Sequence, residues 1–242
     1  MKRRGTVLRT AAILLLCALF ARVSGGYARE VAAEKPYYDE TVIVLDAGHG
    51  DFDPGAVAAD GTEEKGINLA VTLQLYDLFR ANGFAVVLTR SGDRTMADAD
   101  AAGTAARKRT DTHNRAALAE SFSDAVLISI HQNSYADTAQ HGTQMFYGTL
   151  DARSPRLAGA LMDSVTARLQ PENVRPLKKG TDSIYILTHT HAPTVLVECG
   201  FMTNREELAL LKDEGYRRKL ACAIFLGYLD YLRAPEETED GT

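Results

Sequence analysis

A single α/β domain, with a central mostly parallel or mixed sheet of about six strands and helices on both faces, is predicted by three features of this 242-residue chain. Short apolar runs rich in β-branched residues (TVIVLD, FAVVLTR, AVLISI, TVLVE) imply strands covered on both sides, because a strand with one wet face would alternate. Segments of helical periodicity separate these runs. The length suits one domain with a sizeable core.

The domain is expected to span 41–233, opening on the strand TVIVLD. An amphipathic helix follows over roughly 63–82, with Asn82-Gly83 as a left-handed stop. FAVVLTR reads as a strand, roughly 107–121 as a helix and AVLISI as a strand. Then come a strand at GTQMFYG, a helix near 155–169, short strands at SIYIL and TVLVE, and two helices, REELALLK and YRRKLACAIFLGYLDYL. Asn204 stands where it can cap the first of these two. Residues 29–40 (REVAAEKPYYDE) are polar and contain proline, as a linker does, and the acidic tail 234–242 has a disordered composition.

The first 28 residues join a basic start (MKRRGTVLRT) to AAILLLCALFA, a run too short and too abruptly ended for a comfortable membrane span. They are expected to export the protein to the cell envelope or beyond. Small residues favour cleavage after Ala21 or Ala28, and an uncleaved anchor is the alternative. Leu16 before Cys17 argues against lipidation. Membrane association is therefore expected only through this segment. Without it, 22 basic residues stand against 32 acidic ones, a net charge of −10. That balance argues against nucleic acid or an anionic membrane surface as partner. Cys199 and Cys222 lie on an apolar strand and an apolar helix, so buried thiols are expected rather than a disulfide.

Candidate chemistry gathers at the ends of these elements. His49 follows a strand in the glycine-rich DAGHGDFDPGA, and His131 ends VLISI. In open α/β sheets, ligands bind outside the carboxyl ends of strands, so such residues can converge. Glu63 and Glu64 open the first helix, and the residues alone do not choose between them as a ligand. Glu198 closes the buried run TVLV, where desolvation would raise its pKa unless a cation or donor compensated. Two imidazoles and one carboxylate form a three-ligand zinc set with an open position. A phosphate loop is excluded, because GxGxxG and GKS/T spacing are absent, and no GxSxG elbow supports a serine hydrolase.

In this order and spacing, DAGHGDFDPGA, GTEEKGINLA, VVLTRSGDRT, LISIHQNS and VLVECGFMTNREELALL resemble the catalytic domain of zinc-dependent N-acetylmuramoyl-L-alanine amidases of the Amidase_3 type. The resemblance implies zinc ligation by His49, Glu64 and His131, and a catalytic role for Glu198. It implies hydrolysis of the amide between the lactyl group of N-acetylmuramic acid and L-alanine in peptidoglycan. RKRTDTHNR, HGTQMFY and NVRPLKKGTDSIYIL look more like the spore-cortex, germination-associated branch. His49-Gly50-Asp51 departs from the family's usual HGG and places an extra acid near the proposed metal. No wall-binding module accompanies the domain, so a targeting or activating partner is a further expectation. Asp46 and Asn133 are candidates for orienting the imidazoles, and Arg115 and Arg175 for meeting substrate carboxylates. The His189/His191 pair is expected at the surface. The alternatives are an inactive or partner-activated peptidoglycan-binding domain and a zinc peptidase cutting a stem-peptide bond.

Overall fold

The computed structural model describes residues 41–234. The expected export segment, the linker and the tail beyond Ala234 lie outside the described residues. The chain runs β1 (Val42–Ala47), α1 (Glu64–Ala81), β2 (Ala85–Leu88), α2 (Gly103–Glu120), β3 (Ala125–Asn133), β4 (Gln144–Tyr147) and α3 (Ser154–Arg168). It continues through β5 (Lys178–Lys179), α4 (Tyr185–Thr188), β6 (Thr194–Phe201), α5 (Arg205–Lys212) and α6 (Glu214–Arg233). The strands form one six-stranded sheet in the order β2-β1-β3-β6-β4-β5. Neighbours among β2, β1, β3 and β6 are parallel, β4 is antiparallel to β6, and β5 is parallel to β4. The chain steps from β1 outward to β2 and then returns to β1's other side as β3. This makes the β1/β3 boundary a topological switch point, the place where such sheets bind ligands.

The register decides which side chains face the site. Asp46 pairs with Ser129, Ser129 with Leu196, and His131 with Glu198. Laterally paired residues share a face and alternate residues along a strand share it too, so Val44, Asp46, Leu127, His131, Leu196 and Glu198 point the same way. Val44, Leu127 and Leu196 pack with Ala116 and Ala119 of α2 and Ile186 and Leu187 of α4. His131 and Glu198 therefore project toward the α2/α4 side. Helices α1, α3 and α6 cover the other face. There Phe79, Phe84, Phe225 and Tyr228 meet edge to face, and Gly227 lets α6 approach α3 so closely that a Cβ would lie 2.7 Å from Leu161 Cα.

Three expectations change. SIYIL contributes the short helix α4 instead of a strand, because Ile184 through Leu187 all pack on one cluster, which a helical turn permits and an alternating strand does not. Lys178–Lys179 supply the edge strand in its place. Helix α2 begins at Gly103, four residues before the predicted start, with no side-chain cap to mark it. Cys222 is exposed, since the buried stripe of α6 passes through Ala221, Ala223 and Ile224 and leaves it on the solvent side, whereas Cys199 is buried as expected. Gly83 is left-handed at φ 85°, and the Asn204 side chain accepts from the N–H groups of Glu206 and Glu207, both as the sequence implies.

One buried ionic network fixes the sheet's carboxyl edge. The Arg115 guanidinium donates to Asp46 Oδ1 at 2.6 Å, to Asp111 Oδ2 at 2.7 Å, and to the carbonyls of Ala47 and His49 at 2.7 Å each. Thr89 and Ser129 donate to the Asp46 carboxylate at 2.8 and 2.6 Å. Burial would raise the Asp46 carboxyl, but the Arg115 charge and these hydroxyl donors outweigh it and hold it at about 2. Arg115→Met would strand two carboxylates and is expected to lower stability by about 3–5 kcal/mol in urea denaturation. Because Asp46 is depressed in the folded state, its contribution is complete above its ordinary 3.8 and is lost as pH falls through about 2. Asp46→Asn should flatten the acid limb of the stability curve in that window.

Candidate metal centre

After β1 the chain turns sharply. His49, Gly50 and Asp51 all have left-handed φ values, 62°, 136° and 51°. For His49 and Asp51 that conformation costs roughly 1 kcal/mol each. Reciprocal backbone hydrogen bonds of 3.0 Å between Gly50 and Asp53 close the turn. Glu64 opens α1 and is buried, anchored by the Ala56 N–H on Oε2 at 2.9 Å and by Asn68 Nδ2 and the Gln132 N–H on Oε1 at 3.0 Å each. His131 enters from β3.

These three side chains meet. His49 Nε2 and His131 Nδ1 lie 3.2 and 3.1 Å from the same oxygen, Glu64 Oε1. One ligand atom from each residue falls within 4.8 Å of the others. Two nitrogens cannot share a carboxylate oxygen this closely without a proton or a cation among them, so the donor set and spacing fit a metal ion. Two glycines permit the approach. A Cβ on Gly48 would lie 2.2 Å from His131 Cε1, and one on Gly55 would lie 2.5 Å from Glu64 Oε2 and 2.7 Å from His49 Cδ2. Asp53 Oδ2 accepts from His49 Nδ1 at 2.8 Å, which directs the Nε2 lone pair toward the cluster.

Charge follows the geometry. Burial opposes a positive His49, yet Asp53 and Glu64 lift its imidazole to about 9. Burial likewise opposes ionisation of Glu64, but the two histidines hold its carboxyl well below the usual range. Glu198 behaves oppositely, since burial pushes it up to about 7 and its Oε2 is a buried atom without a hydrogen-bond partner. His49, His131 and Glu198 line one cavity of about 340 Å³, with α2 and α4 as its far wall.

The predicted His49, Glu64, His131 and Glu198 thus come together. Several weaker expectations do not hold. The Asp46 hydrogen bonds go to Thr89, Ser129 and Arg115 and none to an imidazole, while Asn133 contributes its backbone carbonyl to the Met202 N–H. The imidazole partner that sequence reasoning missed is Asp53, and its signal was a carboxylate four residues after the histidine. Asn68 and Arg90 were missed as well. Asn68 Nδ2 bridges Glu64 and the Gly48 carbonyl, and Arg90 donates to the carbonyls of Ala47, Gly48 and Lys65. Arg115 is spent in the buried network. Arg175 ties loops, donating to the His141 carbonyl and Gln140 while lying over Phe201 at 4.5 Å. His189 and His191 are exposed as expected, and His113 and His189 stack on either side of Tyr185.

A His–Glu–His cluster beside a buried carboxyl, at the switch point of an open α/β sheet, has the make-up of a hydrolase centre. The chain belongs to the Amidase_3 family of N-acetylmuramoyl-L-alanine amidases, whose pattern matches residues 43–229. It is 32% identical over 191 residues to the germination-specific N-acetylmuramoyl-L-alanine amidase of Bacillus subtilis, covering 79% of each chain. The CwlD amidase of Clostridioides difficile, solved in complex with the GerS lipoprotein, is 36% identical with a TM-score of 0.75, over 79% of this chain and 98% of that one. The catalytic domain of CwlV from Bacillus (Paenibacillus) polymyxa is 30% identical with a TM-score of 0.66, over 79% and 98%.

Gly55→Ala tests the packing of the centre. The added methyl must displace Glu64 or His49, so calorimetric titration with a divalent cation should show binding lost while circular dichroism keeps the folded spectrum.

Proposed function

We propose that this protein is a zinc-dependent N-acetylmuramoyl-L-alanine amidase that cleaves the bond between the lactyl group of N-acetylmuramic acid and L-alanine of the stem peptide. The observation that carries the reading is the meeting of His49, Glu64 and His131 where the two histidines line a cavity with Glu198, whose buried Oε2 has no hydrogen-bond partner. His49 Nε2, His131 Nδ1 and a Glu64 oxygen would hold the zinc. When bound, zinc supplies Lewis acidity toward an amide carbonyl and acidifies water near neutrality.

The chain's own groups do the rest. Asp53 holds the proton on His49 Nδ1, so that Nε2 remains a donor to metal. Asn68, Ala56 and Gln132 fix the Glu64 carboxylate, leaving it no rotation away from the histidines. Glu198 is not tied down by hydrogen bonds, which leaves it free to accept a proton from the attacking water and return it to the leaving amine. Residues of α2 and α4 wall one side of the cavity that would receive the substrate.

The spore cortex is the proposed substrate form, and the support is the germination-specific relative in Bacillus subtilis together with CwlD. A partner protein that activates or targets the domain is proposed on the CwlD structure, which contains a lipoprotein. Export through residues 1–28 would bring the domain to its substrate. No helix among the described residues is long and apolar enough to cross a membrane.

Digestion of cortex and vegetative peptidoglycan tests this. New free L-alanine amino ends, abolished by chelation and restored by zinc, are expected. Release of shorter peptides would identify a peptidase instead, and zinc binding without release from either wall would identify a binding domain. Glu198→Gln should keep stoichiometric zinc and lose turnover by a factor on the order of 10² or more.

A further inference from the structure

We propose that Lys108 is a positioning residue for the metal centre, clamping the strained His49 loop to α2 through Asp53. The proposal rests on the zinc reading above and deepens it.

The left-handed turn at residues 49–51 does not hold itself, since two of its three residues are not glycine. Besides the Gly50–Asp53 backbone pair, Asp93 on the Asp51 N–H and Lys65 on the Asp51 carbonyl, it is restrained by α2. Lys108 Nζ lies 2.8 Å from Asp53 Oδ1, while the other oxygen of the same carboxylate takes the His49 Nδ1 proton at 2.8 Å. Arg107 pairs with Asp51 Oδ2 at 2.8 Å and stacks over the Phe52 ring at 3.8 Å. Each residue from 51 to 53 is thus gripped by one of two adjacent cations. Helical spacing puts Arg107, Asp111 and Arg115 on one face, and Arg115 donates to the His49 carbonyl at 2.7 Å. One helix therefore fixes the backbone of His49 at one point and its imidazole, by relay, at another.

The carboxylate explains why Lys108 matters. With both oxygens engaged, Asp53 cannot rotate about its terminal bond, and the imidazole plane stays aimed at Glu64. Without Lys108, Oδ1 would keep only the Gly55 N–H at 3.3 Å, and the His49 contact would lose the charged restraint on its direction. The side chain of Lys108 is 53% exposed, so its replacement removes no core packing. It also borders the cavity, and direct contact with a substrate anion is the competing role.

Zinc affinity, measured by competition with a chromogenic chelator, separates the roles. Lys108→Met should weaken zinc binding about tenfold or more, in the range expected for partners of ligating histidines, and Lys108→Arg should restore most of it. KM for peptidoglycan at saturating zinc should not change. A wild-type protein that binds no zinc would sink the zinc reading itself. Wild-type zinc binding matched by Lys108→Met would overturn only the clamp, and a raised KM with unchanged zinc affinity would reassign Lys108 to the substrate.

Discussion

The carboxyl edge of this sheet depends on one buried guanidinium. Arg115 reaches from α2 to Asp46 at the end of β1, and Asp46 in turn takes hydroxyl donors from Thr89 just beyond β2 and from Ser129 in β3. Three strands and a helix are thereby tied at one point. Two buried carboxylates and a guanidinium are costly to desolvate, and such an arrangement is tolerated only when its hydrogen-bonding capacity is filled. Here it is filled by Thr89 and Ser129 on Asp46, by Thr95 and the Met96 N–H on Asp111, and by the carbonyls of Ala47 and His49 on Arg115. The network thus uses the backbone of the His49 loop as its own acceptors, so fold and candidate site are built from the same atoms.

Beside this saturated network stands an unsaturated one. Asp46 has every oxygen engaged, whereas Glu198, two strands away on the same face, keeps a buried oxygen without a partner. The two carboxyls shift in opposite directions for that reason, one held near 2 and the other raised to about 7. A group with both hydrogen-bonding positions filled is structural. One that is desolvated and left incomplete costs stability and is suited to proton transfer.

Much of this was legible in the sequence, and the failures have a common cause. Continuous β-branched runs located β1, β3 and β6, and the strand ends pointed to His131 and Glu198. The ladders extend past the apolar runs, to Asn133 and Phe201, so both residues lie within strands, paired with each other. Lateral register is not written in a single strand's pattern, and the pairing was not readable. The partner of His49 was sought near it in β1 and near His131, at Asp46 and Asn133. The left-handed turn folds the chain back on itself and brings Asp53 to the ring instead. SIYIL misled because its apolar run has strand composition while its packing demands a helical turn. Glu63 and Glu64 could be separated only by the family resemblance, and the structure buries Glu64 and leaves the Glu63 side chain 48% exposed beside Lys65.

Helix α2 carries two kinds of charge contact, and their magnitudes imply different roles. A buried, fully hydrogen-bonded guanidinium such as Arg115 governs folding, because breaking it leaves uncompensated charge worth about 3–5 kcal/mol. A half-exposed ammonium such as Lys108 contributes about 0–1 kcal/mol to folding by the same physics, since water and salt screen it. A tenfold change in metal affinity is about 1.4 kcal/mol, as large as everything the exposed pair could add to stability. An interaction of that size is negligible spread over a fold and decisive when delivered to one imidazole. The difference lies in what the partner carboxylate does with its second oxygen. Asp53 passes the restraint to His49, so a weak surface contact can set the direction of an imidazole in the candidate site.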